Sequence, residues 1–170
     1  MLAWSMLLDC FGTRHGMNQA PVQAMRVVRR TMTVSSEQHI EALDITAEIQ
    51  RHVTMAEVVD GMLVANCLHT TCCLLVADLH SSLIEHLRML LEALVPDGRR
   101  YEHNDPRYSD CERGNAAAHL RACLLNQTVA IGVEHAHLSL GEQQSIVFVE
   151  WDGPRSRHID LQIMGTSGER

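Results

Sequence analysis

From His158 to Ile163 polar and apolar residues alternate without a break: His158-Ile159-Asp160-Leu161-Gln162-Ile163. Successive side chains on a strand point to opposite faces, so this run reads as a half-buried strand, one face in a core and one in water. Shorter strand-like runs precede it at Arg26 to Val34, Gly61 to Leu68, Cys72 to Ala77, Thr128 to Val133 and Ser145 to Trp151. Polar Ser35-Ser36 and the turn-forming Asp152-Gly153-Pro154 separate some of them. The helices are few. Thr46 is placed as the N-cap of a short helix through Glu48, Ile49 and Val53. Ser81 to Leu94 carries Leu83, Leu87, Leu90, Leu91 and Leu94 at three- and four-residue steps, and Pro96-Asp97-Gly98 ends it. Asn115 reads as the N-cap of a helix over Ala116 to Leu125. The expectation is an α+β fold, a mainly antiparallel β-sandwich-like sheet with two to three short helices.

A chain of 170 residues fits one domain, here residues 25–165, which can bury a sizeable core without disulfides or metal. Residues 1–24 follow neither period and contain Gly12, Gly16, Asn18 and Pro21, so a disordered or poorly packed appendage is expected there, with a short tail at 166–170. Met1 to Leu8 is apolar but lacks a basic flank and meets Asp9 at once, unlike a secretory leader. No apolar run approaches the roughly 18–20 residues of a membrane span. The six cysteines contain no CxxC, and Cys72 and Cys73 are adjacent, where a bridge is strained. A reduced, cytoplasmic protein is expected, with Cys72, Cys73 and Cys123 as inert buried thiols.

Charge narrows the function classes. A net charge of −7 opposes the cation surplus on which sequence-independent nucleic-acid binding depends, so no nucleic-acid partner is expected. All 14 cations are arginine, which removes Schiff-base lysine chemistry and the P-loop lysine.

The histidines are the unusual feature, eleven in all. His69 follows a strand, His103 lies in a long polar loop from Arg99 to Gly114, and His119 sits on the helix after it. Loops of that length in compact domains are often functional. Three imidazoles can hold a divalent metal and leave a coordination position open. Their spacing matches no local metal motif, so each can equally be a separate hydrogen-bonded or exposed side chain. Asp105, Asp110 and Glu112 can supply a general base or orient the histidines, or simply be solvated. Arg113 and Arg121, with the amide end of the helix at Asn115, suit a phosphate.

Several separated motifs occur in order: Gly61 and His69-Thr70-Thr71, a leucine-rich helix, Tyr101-Glu102-His103-Asn104-Asp105-Pro106, Ser109-Asp110-Cys111, and Asn115-Ala116-Ala117-Ala118-His119-Leu120. Together with Asp44-Ile45-Thr46 and Leu138-Ser139-Leu140-Gly141, they resemble the YjbQ family over about Met25 to Gly165. The resemblance implies a compact β-rich α+β fold assembled as a homotrimer, with a pocket near subunit contacts. It implies a cluster of His69, His103 and His119 that binds a divalent metal (zinc, magnesium or manganese) and acts with Asp110. Thr70, Thr71, Asp105, Asn115, Arg121 and Gln144 are the implied substrate-binding residues. The implied activity is that of a secondary thiamine-phosphate synthase, which joins a pyrimidine pyrophosphate to a thiazole phosphate and releases pyrophosphate.

Departures from the family pattern accompany the matches. Val76, Ala77 and Asp78 stand where the family usually reads Ile-Asn-Glu. Leu140, Gly141, Glu142, Gln143 and Gln144 stand for Leu-Gly-Thr-Trp-Gln, and a turn glycine is replaced around Ala136. Glu142 in a pocket wall would repel a phosphate. The alternative expectation is therefore a non-catalytic trimer that binds metal or another ligand in a degenerate pocket. A metal-sequestering or redox module of histidines and cysteines is a third.

Overall fold

The computed structural model describes residues 24–168. The appendage expected over residues 1–24 and the end of the tail fall outside this range, apart from Ala24 and residues 166–168. The elements run β1 (Met25–Ser35), β2 (Glu41–Asp44), α1 (Thr46–Ala56), β3 (Asp60–Cys67), β4 (Cys72–Ala77), α2 (Ser81–Leu94), α3 (Ala116–Cys123), β5 (Thr128–Glu134), β6 (His137–Leu138), β7 (Ser145–Glu150) and β8 (Ser156–Thr166). A short 3₁₀ turn, Glu102–Asn104, interrupts the long polar loop. The expected α+β architecture is present, with antiparallel sheets and three short helices.

Two sheets form, ordered β1-β8-β3-β5-β6 and β2-β7-β4. β8 is longer than its alternating stretch: it pairs with β1 from Met25↔Thr166 to Ser35↔Ser156, and with β3 from Asp60↔Thr166 to Cys67↔Ile159. Its inward residues Ile159, Leu161 and Ile163 meet Leu63, Ala65 and Cys67 of β3 in the core between the sheets. Ile49, Val53 and Ala56 of α1 join the same core. At the far end Gly61 faces Gly165, and the backbones lie so close that a Cβ on Gly61 would stand 2.1 Å from the Met164 carbonyl.

β7 is buried on both faces. Ile146 and Phe148 point between the sheets, while Val147, Val149 and the following Trp151 point to a second core. There they meet Leu91 of α2 and Ala118 and Ala122 of α3. The small residues of α3 let it lie close on the three-stranded sheet, which places the start of α3 beside the end of β7.

The two expected helix caps differ in detail. Ile45, not Thr46, occupies the N-cap of α1. Asp44 Oδ1 receives the Thr46 N–H at 2.8 Å, and Thr46 Oγ1 receives the N–H of Ile146 at 2.8 Å, tying the helix to β7. Asn115 does precede α3, but its side chain caps nothing there. Asn104, reaching back from the polar loop, accepts the Ala116 N–H at 2.9 Å.

Candidate functional site

The His69-Thr70-Thr71 turn joins β3 of one sheet to β4 of the other. His69 Nε2 accepts the backbone N–H of His158 at 3.0 Å, and the two rings lie 5.9 Å apart, centroid to centroid. His103, in the 3₁₀ turn, and His119, on α3, meet edge to face with centroids 5.1 Å apart. A backbone hydrogen bond to Thr70 ties His119 to the neighbouring turn. The expected triad is thus drawn as two pairs, His69 with His158 and His103 with His119, joined through the chain at Thr70. Among the described residues, no group of three or more His, Cys, Asp or Glu side chains is arranged to hold a metal ion. With His69 Nε2 engaged by His158, the arrangement does not fit a three-histidine metal centre.

His103 and His119 open onto a cleft of about 260 Å³ lined by Tyr101, Glu102, Ala116 and Leu120. Tyr101 holds the cleft's edge by donating its hydroxyl to the Pro96 carbonyl at 2.9 Å, linking the loop to the end of α2. Burial, and then the adjacent His103, push the His119 pKa below the ordinary imidazole value, while Asp152 and the Thr70 backbone pull the other way. His69 is lowered too, first by burial, then by Arg157 and His158. Both rings therefore favour the neutral form near pH 7, in which one nitrogen donates and the other accepts.

Beneath the turn lies a buried ionic cluster. Arg157 donates Nε to Glu150 Oε2 at 2.6 Å and Nη2 to both Glu150 Oε1 at 2.9 Å and Thr71 Oγ1 at 2.7 Å. Glu150 Oε1 also receives the backbone N–H groups of Trp151 and Asp152. Asp152 in turn accepts from Arg113 Nη1 and Asn115 Nδ2, each at 3.0 Å. Sequence reasoning missed Glu150, Asp152 and Arg157. The signal was available for two of them: Arg157 has the inward parity of Ile159 and Leu161, and Glu150 that of Ile146 and Phe148. Two opposite charges at inward positions of strand ends require each other as partners.

The other expected residues scatter. Thr71 belongs to the ionic cluster, and Thr70 touches His119 through its backbone. Asn115 stands at the cleft's helix but gives its amide to Asp152. Asp105 is held by Arg107 (Oδ2 to Nη2 2.6 Å), which keeps its carboxyl below the usual range, so it serves its own loop rather than the histidines. Asp110 is exposed and does not line the cleft. Arg121 is buried (1% exposed), bonds the Val95 carbonyl through Nε and Nη2, pairs with Asp97 and packs on Trp151, so it closes the end of α2 instead of facing a phosphate. Gln144 Oε1 receives the Gly141 N–H in a local turn. That turn leads into Ser145, which pairs with Ala77, whereas Glu150 pairs with Cys72 at the other end of the strand. At about 3.3 Å per residue the two ends lie roughly 16 Å apart. Ala77, Glu142 and Gln143 therefore do not wall the histidine cleft of their own chain. Cys123, expected to be buried, is exposed.

The sequence and the fold are similar to those of known proteins. A UPF0047 protein from Archaeoglobus fulgidus is 37% identical over 133 residues, 78% of this chain and 98% of its own. Another, from Methanothermobacter thermautotrophicus, is 30% identical over 141 residues, 83% and 94% of the two chains. The crystal structure of a YbjQ-like protein of unknown function from Sulfolobus solfataricus superposes with a TM-score of 0.75 at 28% identity, covering 84% of this chain and 99% of that one. A hypothetical protein from Aeropyrum pernix gives a TM-score of 0.73 at 31% identity, over 81% and 98%. A family model described as UPF0047 protein YjbQ-like matches residues 30–166, and the chain belongs to that family.

Proposed function

We propose that this protein is a YjbQ-type transferase that takes a phosphorylated small molecule in the His103–His119 cleft and carries a thiamine-phosphate synthase-type reaction. The observation that carries the reading is the histidine pair, edge to face at 5.1 Å, lining a cleft of about 260 Å³. That volume approaches the lower end of small-molecule sites.

The chemistry needed is modest. Pyrophosphate leaves an activated carbon as the thiazole attacks it, and the leaving oxygens need hydrogen-bond donors or a proton. A neutral His119 whose N–H bonds to Thr70 leaves its other nitrogen as an acceptor. An arriving phosphate monoanion can deliver its proton there, and the imidazolium then donates to the departing group. The departures at Ala77, Glu142 and Gln143, which favoured a degenerate pocket, lie away from this cleft in the single chain.

The test is turnover of the pyrimidine pyrophosphate and thiazole phosphate by wild type and His119→Ala. Loss of product in the variant is expected; equal activity overturns the reading. Binding of the thiazole phosphate without turnover moves the protein to the non-catalytic alternative. The family resemblance further supports a homotrimer, which light scattering on the full chain checks. No helix among the described residues is long and apolar enough to cross a membrane. The free thiols of the described cysteines support a reducing, cytoplasmic setting.

A further inference from the structure

Two thiols close the base of the His69–Thr71 turn. Cys67 ends β3 and Cys72 opens β4, and their Sγ atoms lie 3.0 Å apart. That is only about 1 Å longer than a disulfide bond of ~2.05 Å. The pair spans the two sheets, since β3 and β4 belong to different ones. Cys73, the adjacent thiol, points into the second core, so it does not compete. Both thiols are buried, Cys67 at 4% and Cys72 at 0% exposure, so only a small oxidant suits them, and the contact between the two sulfurs is what pairs them.

We propose that Cys67 and Cys72 form a peroxide-oxidisable dithiol whose disulfide staples the two sheets beneath the His69–Thr71 turn. The oxidant is a small hydroperoxide. The Cys67 sulfur attacks one peroxide oxygen, the thiol proton goes to the other as the O–O bond breaks, and water or an alcohol leaves, giving a sulfenic acid. The Cys72 sulfur then attacks the Cys67 sulfur, the S–O bond breaks, and a second water leaves carrying the Cys72 proton. Two thiols lose two electrons in all and one peroxide gains them. The inference does not depend on the reading of the histidine cleft, because its product is identified by mass.

The native wild-type chain is exposed to hydrogen peroxide, unfolded in the presence of an alkylating agent, digested and mapped by mass spectrometry. A peptide joined between Cys67 and Cys72, lighter by two hydrogen atoms and restored by dithiothreitol, is expected in most chains. It is expected to vanish in Cys67→Ser and Cys72→Ser. If Cys67 and Cys72 remain alkylatable while Cys123 is oxidised, the proposal is wrong. A bridge joining either residue to a different cysteine also overturns it. Because the decisive reading is made on wild type, a variant that folds poorly does not blunt the test.

Discussion

Arg157 grips Glu150 through two hydrogen bonds of 2.6 and 2.9 Å, with the arginine side chain 10% exposed and the carboxylate fully buried. The carboxylate has two backbone N–H groups as further partners, and Thr71 takes another bond from the guanidinium. Removing one partner of such a pair strands the other charge in the core. Arg157→Met is therefore expected to destabilise the fold by about 3–5 kcal/mol. The paired Glu150→Leu with Arg157→Met removes both charges and is expected to recover part of that loss. Urea unfolding of the single and double variants measures both; a double variant less stable than Arg157→Met alone contradicts the account.

His119 gives a pH signature of known sign. Its folded pKa lies below the ordinary 6.5 because burial, and next His103, oppose the charge. As pH falls through 6.5 the unfolded chain takes up a proton that the folded chain still refuses. Stability therefore declines from about pH 6.5 down through the folded pKa, and above that window the group contributes no slope. His69 adds in the same direction. NMR titration of the ring protons should place both below free imidazole. His103→Ala should raise His119 only part of the way, since burial remains; a His119 titrating above free imidazole would contradict this.

How much of this was legible in the sequence differs between scaffold and site. The β8 strand announced itself because alternation is enforced by one buried face, and α2 because Leu87 and Leu91 recur with the helical turn. β6 escaped because two residues, His137–Leu138, carry no period. The histidines were visible as residues, but their pairing was not. Whether His69 meets His103 or His158 depends on how β8 lies against the turn, which is set by pairing between strands far apart in the chain. Arg121 misled for a related reason: a guanidinium near a helix suits a phosphate or a carbonyl equally, and the Val95 carbonyl at the end of α2 took it.

Ala136 marks a local strain that the sequence departure foreshadowed. It has φ of +63°, with its N–H bonded to the Val59 carbonyl and its own carbonyl receiving Gln50 Nε2. A side chain in the left-handed region costs about 1–2 kcal/mol, which glycine avoids at some expense in unfolded-chain entropy. Ala136→Gly is expected to stabilise the protein by about 0.5–1 kcal/mol. At this chain length that is a rise in Tm of roughly 1–4 °C by calorimetry. An unchanged or lowered Tm would mean that the turn relaxes around the alanine at no cost.

A metal on the three histidines would require each ring to turn a lone pair to one point. His69 Nε2 would have to release the His158 N–H, and the His103 ring, now edge to face with His119, would have to rotate. Forfeiting one such hydrogen bond costs only about 1 kcal/mol, far less than a divalent ion can return at a complete site. The decisive factor is therefore whether the turn between the sheets can move, and the Thr71–Arg157–Glu150 cluster holds it from below. Chain equilibrated with zinc and then desalted is expected to retain well below one zinc per chain, unchanged in His69→Ala. One zinc per chain, lost in both His69→Ala and His119→Ala, would show instead that metal binding breaks the His69–His158 contact and pulls the turn onto α3.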